Sequence, residues 1–193
     1  SVIEEAMDVI KKWWVIPELS FVSQFYNEEF YLKGFEEKGN AHDFNEYDHV
    51  LFSFHGLPER HVDKVYKDGL CKDNDCEHGI NNENIFCYKA TCYETAIQLA
   101  KRFKLKEEDY TVGFQSRLGR GWIEPFSDEI IADLAKKGAK KLLVFSPAFV
   151  ADCLETIIEI GDEYQELFEE HGGEKVQLVE SLNSSDTFVH GLK

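Results

Sequence analysis

The sequence predicts an α/β fold in three layers, with a four-stranded parallel sheet flanked by helices. Three observations point there. Four short apolar runs recur along the chain, helical patterns separate them, and no repeat or low-complexity linker interrupts the alternation. Strand, helix and strand repeated in this way build a parallel sheet covered on both faces.

Residues 1–14 carry apolar positions at 3–4 spacing (Val2, Ile3, Ala6, Met7, Val9, Ile10, Trp13) and read as a helix that Pro17 stops. Glu18–Phe25 (ELSFVSQF) alternates as a strand does, and Glu28–Lys38 returns to helical spacing, ended by Gly39-Asn40. The four sheet strands are His49–Phe54 (HVLFSF), Thr111–Phe114 (TVGF), Lys141–Phe145 (KLLVF) and Val176–Val179 (VQLV). Each is too short and too β-branched or aromatic for a helix, and nearly continuous, as buried parallel strands are. Helices are expected at Tyr88–Phe103, at Ser127–Lys137 with Ser127 as N-cap, and at Asp152–His171 with Asp152 as N-cap. Gly138 and Gly172 follow the ends of the last two.

A chain of 193 residues accommodates one domain together with a piece of another, and 43% hydrophobic residues supply a real core. The net charge of −16, from 37 acidic against 21 basic residues, repels phosphate backbones and excludes nucleic-acid binding as a first reading. No apolar run approaches the ~20 residues that cross a bilayer, and no signal-peptide pattern opens the chain. The expected location is cytoplasmic, with peripheral membrane contact left open. Ser1 begins inside an amphipathic pattern without an initiator Met, which reads as a fragment or a processed product.

In open parallel sheets the ligand site lies beyond the C-terminal ends of the strands. That rule selects His55, Gln115-Ser116-Arg117 and Pro147–Asp152, three segments from three strands sharing one edge. An imidazole titrates near neutral pH and either accepts a proton or holds a metal, although a lone His at a strand end is more often simply hydrogen-bonded. Glu155, Glu159 and Glu163 are spaced i, i+4, i+8, a row along one helical face. The competing reading is a solvated acidic face opposite a buried stripe of Leu154, Ile157, Ile158, Tyr164, Leu167 and Phe168.

Four of the five cysteines, Cys71, Cys76, Cys87 and Cys92, are spaced C-x4-C-x10-C-x4-C. Without a secretory signal, this crowding favours a metal site or reduced thiols over disulfides. Four thiolates suit a two-iron two-sulfur cluster or tetrahedral zinc, with His78 as a substitute ligand; free thiols in a loop remain the third reading.

Three segments carry a resemblance to a known family. Phe52–Arg60 reads FSFHGLPER, Phe114–Pro125 reads FQSRLGRGWIEP, and Phe149–Tyr164 reads FVADCLETIIEIGDEY; Glu180–Asn183 (ESLN) adds a weaker match. In this order they resemble the second half of the ferrochelatases. That family is built of two similar four-stranded α/β domains with a porphyrin cleft between them. The resemblance implies that residues 1–26 are the tail of the first domain and residues 27–193 the second, with a Cys-rich insertion at 68–87. It implies insertion of ferrous iron into a porphyrin in heme biosynthesis, with His55 and Glu155 as catalytic groups and ligands to the substrate iron.

By the same resemblance, Glu159 and Glu163 are a metal or proton path, and Gln115, Ser116, Arg117 and Trp122 bind the porphyrin. Some members carry a two-iron two-sulfur cluster, a role that would fall to the four cysteines. Gly161 would lie in a π-bulge. The partners implied are porphyrin, ferrous iron and the absent N-terminal domain, with self-association through apolar residues near Ser1. The 193 residues alone are expected to be inactive. Two departures stand out: Cys153 replaces a His common in the family pattern, where it reads as a small buried residue, and the GRGW turn is one residue short. A cobalt or nickel chelatase on the same fold, or a non-enzymatic iron-sensing module, is the alternative.

Overall fold

A computed structural model describes residues 2–67 and 69–193. Ser1 and Asp68, the first residues of the expected N-terminal helix and of the expected insertion, lie outside the described residues.

The helices are α1 (Val2–Ile10), α2 (Glu29–Gly39), the single turn α3 (Glu59–Val62), α4 (Tyr88–Phe103), α5 (Ser127–Lys136), a π-helix over Glu155–Glu163 that continues as α6 (Tyr164–Glu170), and α7 (Asp186–Gly191). The strands are β1 (His49–His55), β2 (Tyr110–Gln115), β3 (Lys141–Phe145) and β4 (Lys175–Leu178), all parallel in the order β2-β1-β3-β4. No helix among the described residues is long and apolar enough to cross a membrane.

Alternation along the strands divides the core. Val50, Phe52 and Phe54 of β1 and Leu143 and Phe145 of β3 face one layer, where Leu32 and Phe35 of α2 and Ala96 and Leu99 of α4 pack. Leu51, Leu142 and Val144 face the other, against Ile131 of α5, Ile160 of the π-helix and Phe168 of α6. Both faces are apolar, so the strands read as continuous hydrophobic runs. Helix α5 approaches β2 closely because position 113 is glycine: a Cβ there would lie 2.7 Å from Ser127 Oγ and 2.8 Å from Ile130 Cδ1.

Four expectations are corrected. Glu18–Phe25 has no regular structure and is mostly exposed; it forms no strand, since no neighbouring strand pairs with it among the described residues. Ser127 does not cap α5; it is the helix's first residue, and its hydroxyl turns inward to Ser53. Asp152 does not cap the following helix, because its carboxylate is taken by the backbone of Ser181 and the side chain of Asn183. The buried stripe is Ile160, Tyr164 and Phe168, whereas Leu154, Ile157 and Ile158 are exposed. An α-helical period mis-phases that first half because its bonds run i→i+5, as from the Tyr164 amide to the Glu159 carbonyl. Gly161 lies within this π segment, as the resemblance implied.

Candidate active site

The chain leaves β1 for β2 on one side and then crosses to β3 on the other. The reversal falls between β1 and β3, so a crevice opens at their C-terminal ends, where His55 sits. By alternation His55 emerges on the same sheet face as Ser53, toward α5 and the π-helix. Its Nδ1 is 2.6 Å from the Gly56 carbonyl oxygen. A carbonyl only accepts, so Nδ1 carries the hydrogen and Nε2 holds the free lone pair in the neutral ring.

Three contacts hold the backbone below the ring. Tyr88 OH donates to the His55 carbonyl at 2.8 Å, and the Gly56 amide donates to the Gln115 carbonyl at 2.7 Å. Trp122 bridges to Pro58 and covers Gly56, where a Cβ would lie 3.3 Å from the indole and 2.8 Å from the Gln115 oxygen. The ring of Phe149 flanks the imidazole at 5.9 Å between centroids.

His55 pairs in register with Gln115 of β2. Gln115 is buried, and its Oε1 accepts from Ser53 Oγ at 2.9 Å and Ser146 Oγ at 3.3 Å. Ser53 Oγ also lies 2.8 Å from Ser127 Oγ. Two hydroxyl donors on one side fix the amide's orientation and aim Nε2 outward. There it donates to the Glu155 carbonyl at 3.1 Å and to Glu159 Oε2 at 3.3 Å. Ser53 and Ser146 were not singled out from sequence, and Ser127 was read only as a helix cap. The only signal was polar residues inside apolar strands and at a helix start.

The acidic row divides by environment. Glu159 receives the Ser116 amide at 2.7 Å, the Ser116 hydroxyl at 2.5 Å and Tyr164 OH at 3.3 Å. Ser116 adopts φ +63° to present both donors. Glu155 is half-buried, and contact with the Cys153 side chain and its own amide holds its carboxyl below the usual range, with attraction to His55 adding to this. Glu163 lines a cavity of 370 Å³ together with Ser116, Arg117, Asp128, Glu159 and Tyr164. The wider turn of a π-helix brings residues four apart closer to alignment than an α-helix does, so the row faces one way. Arg117 is held by Asp128 at 2.8 Å and Glu129 at 2.9 Å, with its guanidinium 4.0 Å from the centre of the Phe126 ring. Cys153, half-buried, is not the buried small residue expected of it.

The four cysteines do not all converge. Sulfurs of Cys71, Cys76 and Cys87 lie 3.5, 3.6 and 3.9 Å from one another. Cys92, one turn into α4, is not part of this group and is buried beside Tyr88. Nor does His78 join it. Cys87 caps the N-terminus of α4; a hydrogen bond from the Cys71 thiol, aided by Tyr66 and the Ala90 amide, brings its thiol down to about 5 against the opposing effect of burial. Three of the four expected cluster ligands are therefore gathered together, and Cys92 stands apart from them.

Comparison with known proteins follows the geometry. The ferrochelatase family matches residues 1–193. A ferrochelatase of Pseudomonas fluorescens (strain Pf0-1) is 43% identical over 196 residues, covering 100% of this chain and 58% of the relative. The ferrochelatase of Ectopseudomonas mendocina (strain ymp) has the same identity and coverage. That of Pseudomonas fluorescens biotype C is 44% identical over 195 residues, covering 100% of this chain and 57% of the relative. The chain thus spans rather more than half the length of the curated relatives it matches.

Proposed function

The chain belongs to the ferrochelatase family, and from that membership we propose that the protein containing it inserts ferrous iron, its substrate, into a porphyrin in heme biosynthesis. The observation that carries this reading is the join between His55 and the acidic helix: Gln115, paired with His55 in the sheet, bonds both the Glu155 carbonyl and the Glu159 carboxylate.

The reaction exchanges two pyrrole N–H protons for one divalent cation. His55, with Nε2 free, either accepts a pyrrole proton or holds the arriving iron. Glu155, kept ionised, is its partner for the second proton or for the metal. Glu159 and Glu163 continue the row toward solvent as the path for protons or iron. Gln115 and Ser116 shape the floor on which the macrocycle rests, Trp122 supports the turn that carries His55, and Arg117 meets a propionate, for which a planar guanidinium is suited.

The facing wall of the cleft belongs to a preceding domain of which residues 1–26 are the tail, residues 27–193 forming the second. In support, no described residue before Tyr31 contributes a buried side chain to either core cluster, and Leu118, Leu154 and Ile157 stand 89%, 75% and 52% exposed at the rim. The reaction is placed in the cytoplasm, with any membrane contact peripheral.

Porphyrin metallation by the full-length protein is the test. His55→Ala is expected to lower kcat by roughly 100-fold or more while leaving the thermal midpoint unchanged. Undiminished activity in that variant overturns the assignment.

A further inference from the structure

The ladder between β1 and β3 stops at the pair Phe52 and Phe145, and the chain beyond each strand forms one lip of the crevice. One lip ends in His55; the other runs through the turn 147–150 and carries Phe149. Backbone carbonyls past the end of a ladder need other donors. On each lip a tyrosine hydroxyl supplies one. Tyr88 OH donates to the His55 carbonyl at 2.8 Å, and Tyr31 OH donates to the Pro147 carbonyl at 2.7 Å.

The two tyrosines reach the lips from one side of the sheet. Tyr88 is the first residue of α4 and Tyr31 the third of α2, helices that pack on the same sheet face. Tyr31 stands edge-on to both Phe25 and Phe35, at 5.6 and 5.2 Å between ring centroids, which fixes the direction of its hydroxyl. Both tyrosine rings border one cavity of 310 Å³, together with Pro147, Ala148 and Val150 of the second lip. Close packing does not back the lip along that cavity, so its position rests on hydrogen bonds.

We infer that Tyr31 and Tyr88 are positioning residues for the insertion step, each hydroxyl fixing one lip of the crevice: Tyr88 the lip that ends in His55, Tyr31 the lip that carries Phe149. The inference rests on the reaction proposed above.

Tyr88 acts through two successive peptide groups. Its hydroxyl holds the plane that joins His55 to Gly56, and the next carbonyl, that of Gly56, accepts from His55 Nδ1 at 2.6 Å. A shift of the first plane swings the second. The ring then loses the bond that keeps the hydrogen on Nδ1 and the lone pair of Nε2 free. Tyr31 acts on the neighbouring wall, because the turn it holds sets Phe149 beside the imidazole at 5.9 Å between centroids. Displacing reacting groups by about 1 Å can cost about 100-fold in rate, so a smaller shift of either lip is felt as about 10-fold.

Tyr88→Phe and Tyr31→Phe in the full-length protein test this, since each removes one oxygen and keeps the ring. Each is expected to lose about 10-fold in kcat, with KM for porphyrin within about twofold of wild type. Melting temperatures should fall by no more than about 5 °C. Nitrogen-15 NMR of the histidine rings gives a readout independent of turnover. Wild type and Tyr31→Phe should show neutral His55 as the single Nδ1–H tautomer, and Tyr88→Phe should show a mixture. A His55→Ala protein as active as wild type would overturn the reaction on which the inference rests. An inactive His55→Ala beside tyrosine variants of full kcat would overturn the inference alone, as would an unchanged single tautomer in Tyr88→Phe. Lost turnover accompanied by a fall of more than about 10 °C in melting temperature would make the hydroxyls structural and overturn it too.

Discussion

Gln115 Nε2 donates to the backbone carbonyl of Glu155 across 3.1 Å, fastening the end of β2 to the first turn of the π-helix. The amide does this only because Ser53 and Ser146 occupy its oxygen. Gln115→Ala should therefore take the partner of the buried Ser146 hydroxyl, leave Ser53 only Ser127, and cost about 1–3 kcal/mol in urea denaturation. Gln115→Glu should cost more at neutral pH, since it turns a carboxylate oxygen toward the Glu155 carbonyl and the Glu159 carboxylate. Its deficit should shrink on acidification. Equal losses for both variants at every pH would show that the amide hydrogen plays no part.

Glu159 and Ser116 form the second fastening. With both Ser116 donors on one carboxylate, Glu159→Ala releases a residue held at φ +63° and loosens the segment that carries Arg117. The expected stability loss is about 1–3 kcal/mol. Ser116→Gly keeps the amide and relieves the backbone, so it should be nearly neutral in stability. Thermal melts of the pair decide this; a larger loss from Ser116→Gly than from Glu159→Ala would contradict it.

The sheet was legible because buried parallel strands announce themselves as apolar runs, and each of the four strands begins and ends within a residue of its sequence expectation. His55 and Gln115 were legible because strand ends are where such sheets bind. Other features depend on partners distant in sequence. Ser127 and Asp152 look like caps locally, yet Ser53 and Asn183 claim their side chains. Cys92 shares the spacing of the cysteine loop but belongs to the regular face of α4, where it is buried. The exposure of Leu154, Ile157 and Ile158 follows from a π-helical phase that no α-helical period reveals.

Asp152 sets an acid limit on stability. Burial pushes its carboxyl up, but hydrogen bonds from Asn183, Ser181 and Thr156 outweigh this and hold it below the usual range. A carboxyl depressed in the folded state contributes stability that is full above its unfolded value, about 3.9, and is lost as pH falls through the folded value. Asp152→Asn should therefore be less stable than wild type at neutral pH, with the gap closing below about pH 4. Denaturation midpoints across that range measure it; a gap independent of pH would mean that the charge contributes nothing.

Arg117 offers a separation of binding from folding. Its ion pairs with Asp128 and Glu129 are a third or more exposed on every partner, and such pairs are worth about 0–1 kcal/mol. Arg117→Ala should leave the melting temperature of the full-length protein almost unchanged. If the guanidinium meets a propionate, the same variant should raise KM for porphyrin with a much smaller change in kcat. Unaltered KM would remove Arg117 from the binding surface.

The exposed apolar residues at the start of the π-helix, with Leu154 just before it, make the sharpest contrast between the 193 residues alone and the full-length protein. Leu154 and Ile157 are 75% and 52% exposed, so they stabilise little within this unit. Leu154→Ser and Ile157→Ser should each change the stability of residues 1–193 by no more than about 0.5 kcal/mol, as surface substitutions do. They should also reduce self-association of that piece, whose Trp13, Trp14 and Val15 are exposed as well. In the full-length protein these side chains border the proposed cleft, and the same substitutions should weaken porphyrin binding. Residues 1–193 alone, with one wall of that cleft, should metallate no porphyrin. Sedimentation of the piece and porphyrin titration of the whole protein separate the two effects. Marked destabilisation of the piece would mean that the helix face is packed rather than open.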